Sequence, residues 1–260
     1  MASYGHAMEL FSLDGRVAVV TGGNGGIGLG IARGLAEAGA DVAVWARNEA
    51  KSTDAVAELR GLGVRAEAIA CDVSDEEAVA DATAETVERL GRIDVAVLNA
   101  GVAGVGRLPE FPTEEWDRVL DINLRGAFFT LRSVSDQMIE QGEGGSIIVI
   151  GSTGGILGNS VSPHYSASKA AVMQMAKAFG IQLARHRIRV NSIAPGFVET
   201  EMTDAMRNPK FEQIMIGART PMRRWGRADE FAGPAVFLAS DASSFMTGAT
   251  LVVDGGMLIS

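Results

Sequence analysis

Arg16-Val17-Ala18-Val19-Val20-Thr21 runs straight into Gly22-Gly23-Asn24-Gly25-Gly26-Ile27-Gly28, and this stretch decides the fold. The β-branched run reads as a buried strand, the glycines as a tight turn, and the apolar segment through Ala38 as a helix. Strand, turn and helix in immediate succession turn a weak glycine pattern into a candidate phosphate site. Backbone N–H groups at the helix start can face an anion, and glycine lets the anion approach. Two registers fit: Gly23, Gly25 and Gly28 match G-x-G-x-x-G, whereas Gly22, Gly26 and Gly28 match G-x-x-x-G-x-G. The competing reading, a glycine-rich turn with no ligand, has this context against it.

The same alternation continues to the end of the chain. Strands are expected at 41–46, 65–70, 95–98, 146–150, 189–194 and 250–253, with helices between them at 48–62, 74–90, 113–140 and 229–238. Ser74 and Glu77 have the spacing of a capping box at the head of the 74–90 helix. The pattern predicts one α/β domain with a doubly wound, seven-stranded parallel sheet over residues 13–260, preceded by a short arm at 1–12. Ligands of such sheets bind at the carboxyl ends of the strands, which makes Asn99-Ala100-Gly101, at the end of the fourth strand, a candidate binding turn. An acid that would bind an adenosine ribose 2'-hydroxyl belongs about 20 residues past the glycine loop; Ala46 and Arg47 stand there instead. A guanidinium suits a 2'-phosphate, so NADP(H) is preferred and NAD(H) remains possible. The alternative is an arginine on a solvated loop.

A second stretch carries the chemistry. Ser152-Thr-Gly-Gly-Ile-Leu-Gly-Asn-Ser-Val-Ser-Pro-His164-Tyr165-Ser-Ala-Ser-Lys169 brings a hydroxyl, a phenol and an ammonium into one short span. Tyr165 and Lys169 are four residues apart on an apparent helix, one turn above each other on the same face. An ammonium ~4 to 5 Å from a phenol favours phenolate by on the order of two pK units at an effective dielectric near 20. With two tyrosines and four lysines in the chain, chance would give this spacing about 3% of the time, so the pair needs support from a second motif.

A net charge of -9 argues against non-specific binding to nucleic acid or an anionic membrane. One cysteine, Cys71, excludes an internal disulfide. The start, Met-Ala-Ser-Tyr-Gly-His, lacks the charged and apolar regions of a signal peptide, and no run of 18 apolar residues suggests a membrane span; a soluble cytoplasmic protein is the expectation. With three scattered histidines, no metal constellation is visible.

Taken in order, Thr21-Gly22-x-x-x-Gly26-Ile27-Gly28, Asp72-Val73, Asn99-Ala100-Gly101, Asn123, Ser152, Tyr165-x-x-x-Lys169, Asn191, Pro195-Gly196 with Thr200, and Asp254-Gly255-Gly256 resemble the short-chain dehydrogenase/reductase family, in its compact single-domain branch. The resemblance covers about residues 13–256. It departs at Leu98, where the family often has an asparagine. It selects the register Gly22, Gly26, Gly28. It implies that Ser152 bonds the substrate oxygen, Tyr165 transfers the proton, Lys169 lowers the Tyr165 pKa and holds the nicotinamide ribose, and Asn123 anchors a water. It also implies cofactor contacts at Asn24, Arg47, Asp72, Val73, Asn99, Ala100, Gly101, Pro195, Gly196, Val198 and Thr200. A homotetramer is implied as well.

By itself, Asn123 in a helical pattern reads as exposed or bonded to its own backbone, and His164 as a helix-start histidine with its ring outward. The irregular segment 197–225 follows the nicotinamide strand and reads as a lid. Met202, Met206, Met215, Met222, Phe197, Phe211, Ile214, Ile216 and Trp225 either line an adaptable apolar pocket or pack the lid onto the body. The reaction expected is interconversion of a ketone and a secondary alcohol, on a hydrophobic or acyl carbonyl such as a 3-oxoacyl thioester. A sugar or polyol dehydrogenase is the alternative, and a catalytically inactive cofactor-binding regulator is the alternative of another class.

Overall fold

The computed structural model describes residues 7–260. The first six residues of the expected arm lie outside them. Seven parallel strands form one sheet in the order β3-β2-β1-β4-β5-β6-β7: β1 Val17–Thr21, β2 Asp41–Ala46, β3 Ala66–Ala70, β4 Val95–Leu98, β5 Gly145–Ile150, β6 Ile188–Pro195 and β7 Thr250–Val253. The helices are α1 Gly26–Glu37, α2 Glu49–Arg60, α3 Glu76–Leu90, α4 Thr113–Leu120, α5 Gly126–Gln141, α6 Pro163–Leu183, the single turn α7 Pro209–Phe211, and α8 Ala232–Ala239.

Successive side chains of a strand point to opposite faces, so a strand covered on both sides is apolar throughout. In β1, Val17 and Val19 enter a core built with α3, α5 and α6, while Ala18 and Val20 enter a second core built with α1, α2 and α8. Arg16 and Arg92 ring the opposite end of the sheet from the glycine turn. There the buried Asp94 carboxylate accepts the Val17 N–H at 2.9 Å and both donors of the Arg92 fork at 2.7 and 2.8 Å. These charge-assisted bonds satisfy a carboxylate that would otherwise be costly to bury.

Two boundaries differ from expectation. Asp75, not Ser74, caps α3 by accepting from the Glu77 and Ala78 N–H groups, and Ser74 turns back to bond Asp72. The long helix expected at 113–140 is two helices joined by a π turn at Asp121–Arg125.

α1 lies close on the segment before β7 because two of its residues lack a side chain. A Cβ on Gly30 would strike the Ala228 carbonyl, and one on Gly34 would strike Ala232. Gly34→Ala should therefore destabilise the protein by about 1–3 kcal/mol through overpacking, despite alanine's better helix propensity. The urea unfolding midpoint of Gly34→Ala should fall accordingly.

Candidate active site

The sheet order reverses between β1 and β4, whose crossovers leave to opposite faces and open a crevice at their carboxyl ends. Thr21 and Asn99 line its floor. The Thr21 hydroxyl accepts the Asn99 and Ala100 N–H groups, both at 3.0 Å, and the Asn99 amide donates to the Thr21 and Gly22 carbonyls at 2.9 and 3.2 Å. Asn99 thus braces the glycine turn from beneath. Gly22 and Gly26 adopt φ of +63° and +49°, the left-handed region that favours glycine. A Cβ on Gly28 would meet the Gly22 carbonyl and be 2.5 Å from the Asn99 amide nitrogen, whereas Gly25 has extended backbone and nothing near it. A Cβ on Gly23 would be crowded as well, 2.9 Å from the Val20 carbonyl oxygen, so it is the left-handed backbone of Gly22 and Gly26, with Gly25 unconstrained, that favours Gly22, Gly26 and Gly28, the wider of the two registers.

The remaining expected cofactor residues surround this crevice. Ile27 packs into the α1 core, and Asn24 donates to Ser52 at 3.0 Å and to the Asn48 carbonyl at 3.3 Å, tying the loop to α2. Arg47 follows β2 and pairs with Asp72 at 3.4 Å, both groups partly exposed. Val73 is buried against Gly126. On the other side Pro195 ends β6, Gly196 donates to the Val253 carbonyl at 3.0 Å, Val198 is buried, and Thr200 comes within 3.2 Å of where a Gly26 Cβ would be.

Ser152, Tyr165 and Lys169 converge beside this crevice. Ser152 follows β5 and accepts the Gly154 N–H at 3.0 Å, and its hydroxyl is placed to pull the Tyr165 pKa down. Lys169 is buried; its ammonium donates to the Ile150 carbonyl at 2.8 Å and sits 5.8 Å from the centre of the Tyr165 ring. Gly101 backs the group, because a Cβ there would lie 3.4 Å from the ammonium and 3.1 Å from the Asn123 amide oxygen. The lowering of the Tyr165 pKa expected from Lys169 is not seen. Burial raises the Tyr165 pKa, with the Ser152 hydroxyl pulling the other way, and burial lowers that of Lys169 to about 8. Desolvation of each charged form sets both directions.

Asn123 is not an exposed helical asparagine. It is buried in the π turn, where its amide accepts the Val102 N–H at 2.7 Å and donates to the Val102 carbonyl at 2.9 Å and the Ser168 hydroxyl at 3.0 Å. Ser168 in turn donates to the Tyr165 carbonyl at 2.8 Å, so the loop after β4 is fastened to the helix bearing the phenol. π turns often mark such functional positions. His164 also departs from expectation: its ring is fully buried, edge-on to Phe111, with Nε2 3.5 Å from Glu115. Ser168, Glu115 and the bracing role of Thr21 escaped the sequence reading. The partners of Ser168 and Glu115 are 45 and 49 residues away, and only Thr21, set directly before the glycines, carried a local signal.

The lid consists of short turns at Glu201–Met206, Pro209–Phe211 and Glu212–Ala218. Phe197, Phe211 and Trp225 pack on one another with ring centres 5.0 to 5.9 Å apart and join the two ends of the segment 197–225 to the turn between them. Met202, Ile214 and Met222 stay exposed. Among the described residues no cluster of His, Cys, Asp or Glu could hold a metal ion, and no helix is long and apolar enough to cross a membrane.

A glycine-turn crevice meeting a serine, a tyrosine and a lysine defines an oxidoreductase that acts on alcohol or carbonyl groups with a nicotinamide dinucleotide. The chain belongs to the short-chain dehydrogenase/reductase family. The family model that matches residues 22–258 is described as enoyl-(acyl carrier protein) reductase. L-rhamnose 1-dehydrogenase (NAD(P)(+)) of a Sphingomonas species is 39% identical over 248 residues, which span 95% of this chain and 98% of that one. The crystal structure of a gluconate 5-dehydrogenase from Burkholderia cenocepacia, in complex with NADP and tartrate, is similar at 40% identity and a TM-score of 0.93, covering 98% of this chain and 100% of that one. The 3-oxoacyl-(acyl-carrier-protein) reductase FabG of Thermotoga maritima is 37% identical over 247 residues, 95% of this chain and 99% of that protein.

The Lys169 pKa has a consequence for stability. Between about 8 and the ordinary 10.5 the unfolded chain holds a proton that the folded chain has lost, so stability rises with pH across that window. Below it the buried charge is a standing cost. Lys169→Met should therefore stabilise the protein at pH 7, by an amount that shrinks as the pH goes from 8 towards 10.5. Urea unfolding at pH 7 and pH 10 measures both; a difference independent of pH would remove the burial cost from the account.

Proposed function

We propose that this chain interconverts a secondary alcohol and a ketone on a polyhydroxylated, sugar-type substrate, with NADP(H) preferred and NAD(H) accepted. The observation that carries the substrate class is end-to-end likeness, at 39 and 40% identity, to a rhamnose and a gluconate dehydrogenase. This revises the lean towards acyl carbonyls, which rested on lid composition. A second reading, reduction of a hydrophobic or acyl carbonyl, keeps support from exposed apolar side chains on three loops that border the site, Val105 and Leu108, Ile156 and Leu157, Met202 and Ile214, and from the likeness to FabG.

The residues present fit a nicotinamide dinucleotide. Gly22, Gly26 and Gly28 form a cradle that side chains would fill, with backbone N–H groups at the start of α1 for the pyrophosphate. Asp72 and Val73 would meet the adenine, and Asn99 to Gly101 the adenosine side. Arg47 would leave Asp72 for the 2'-phosphate, while Pro195, Gly196, Val198 and Thr200 hold the nicotinamide end. Bound there, the cofactor supplies or accepts the hydride. Ser152 then holds the substrate oxygen, and Tyr165 donates its proton to that oxygen in reduction and takes it back in oxidation. Lys169 favours the phenolate left behind and bonds the nicotinamide ribose. Asn123, by holding the loop after β4, fixes the wall of the proton path. A catalytic domain at 13–260 is supported by Leu13, which is buried while Met8, Leu10 and Phe11 are exposed. A cytoplasmic homotetramer completes the proposal.

Tyr165→Phe should lower kcat by about 10²-fold or more while nucleotide affinity stays nearly unchanged; retained turnover would take Tyr165 out of the proton step. A substrate panel separates the two readings. Sugar and sugar-acid alcohols should give higher kcat/KM than alkyl ketones or 3-oxoacyl thioesters, and a rate that climbs with acyl length would overturn the sugar reading.

A further inference from the structure

One contact joins the two halves of the crevice and belongs to none of the roles above. Lys51, in the first turn of α2, donates to both carboxylate oxygens of Glu201 at 2.6 and 2.7 Å. Glu201 is the first residue of the lid's opening turn, directly after Thr200. Among the described residues this is the one ion pair that ties the lid segment to the nucleotide-binding half. Arg207 pairs with Glu199 inside the lid, and Arg224 with Glu230 beyond it.

The position of Lys51 matters. Arg47, the expected 2'-phosphate ligand, stands four residues earlier, and Asn48 between them caps α2 by accepting the Lys51 N–H at 3.1 Å. Asn24 of the glycine loop bonds the same turn through Asn48 and Ser52. Lys51 is thus anchored by its backbone where the glycine loop, the tip of β2 and the lid come together. Its ammonium is a mobile point charge on a four-carbon stem and can exchange partners within its reach. The pair with Glu201 is an exposed one, with 46 and 81% of the side chains accessible. Such pairs contribute little to stability, and a phosphate dianion offers the ammonium more negative charge and more acceptor oxygens than a single carboxylate.

We propose that Lys51 is a second specificity residue for the cofactor's 2'-phosphate, held by Glu201 in the free protein and surrendered when the phosphate arrives. The inference rests on the nicotinamide reading above and adds to it. Glu201 acts against NADP(H) twice, by occupying the ammonium and by placing a negative charge near the incoming phosphate. NAD(H) leaves the ion pair closed, whereas NADP(H) opens it and frees the first turn of the lid, so the nucleotide bound decides how the lid is anchored.

The test is a fluorescence titration of NADPH and NADH against the wild type, Lys51→Met, Glu201→Gln and the double variant, with Arg47→Ala as the reference for losing a 2'-phosphate ligand. Lys51→Met should weaken NADPH about tenfold or more and leave NADH nearly unchanged. Glu201→Gln should tighten NADPH severalfold without helping NADH, and that gain should vanish in the Lys51→Met background. Equal losses for both nucleotides in Lys51→Met, or weaker NADPH binding in Glu201→Gln, would overturn the inference and leave the pair a structural strap. Wild type that bound neither nucleotide would overturn the nicotinamide reading, and this inference with it. Both side chains are exposed, so thermal midpoints of the variants should stay close to wild type.

Discussion

The parting of β1 and β4 is the constraint on which the site depends. Two parallel strands whose crossovers leave to opposite faces cannot share a covering helix at their carboxyl ends, so the last peptide groups there lack neighbours. Buried backbone groups must be paired, and here the pairing comes from side chains: the Thr21 hydroxyl takes two N–H groups, and the Asn99 amide serves two carbonyls. The knot uses up the space beneath the turn, so Gly28 can carry no side chain and Gly22 follows a left-handed backbone. One topological fact thereby makes a crevice and fixes its glycines.

A second constraint is electrostatic. Lys169 is buried with the Ile150 carbonyl as its hydrogen-bond acceptor, although an ammonium carries three donors. The resulting drop in its pKa marks a group held at a cost to the fold. Tyr165 is shifted in the matching direction, towards its neutral form. Two groups whose environments disfavour both charges are poised to respond to whatever charge or donor a ligand brings beside them. That fits a site completed by its cofactor, in which the cation and the phenol find their remaining partners only on binding.

The parts of this architecture that are local in the chain were legible from it. Strands covered on both faces are mostly apolar, so β1, β2, β4 and β5 could be read from short runs, whereas β3 with Glu67 and β6 with Arg189 and Asn191 followed from the strand–helix alternation. The glycine turn and the Tyr165–Lys169 spacing each sit within one contiguous span. What stayed hidden depends on distant partners. Asn123 looks like any polar residue in a helix until the π turn aims it at Val102, and His164 is buried because Phe111 and Glu115 close over it. Arg47 could be found by counting from the glycines to the strand tip. Lys51 could not, since its partner lies 150 residues away.

The lean towards acyl carbonyls is less well supported by the relatives than the sugar alternative, for a related reason. Nine apolar side chains in one irregular segment look like a pocket lining, but composition cannot tell a lining from a fastening. Phe197, Phe211 and Trp225 pack on each other and tie the two ends of the segment to the turn between them, which removes the bulkiest members of that set from the pocket lining. The exposed remainder, Met202, Ile214 and Met222, does not exclude a sugar. Ligand sites are mostly apolar even when the ligand is polar, and a few placed hydrogen-bonding groups set the specificity. A pyranose or an open-chain sugar acid offers C–H faces to apolar walls and hydroxyls to those few groups. An apolar rim around Ser152 and Tyr165 therefore suits both readings, and the discrimination must come from polar contacts deeper in the cleft, where an unmatched hydroxyl is costly.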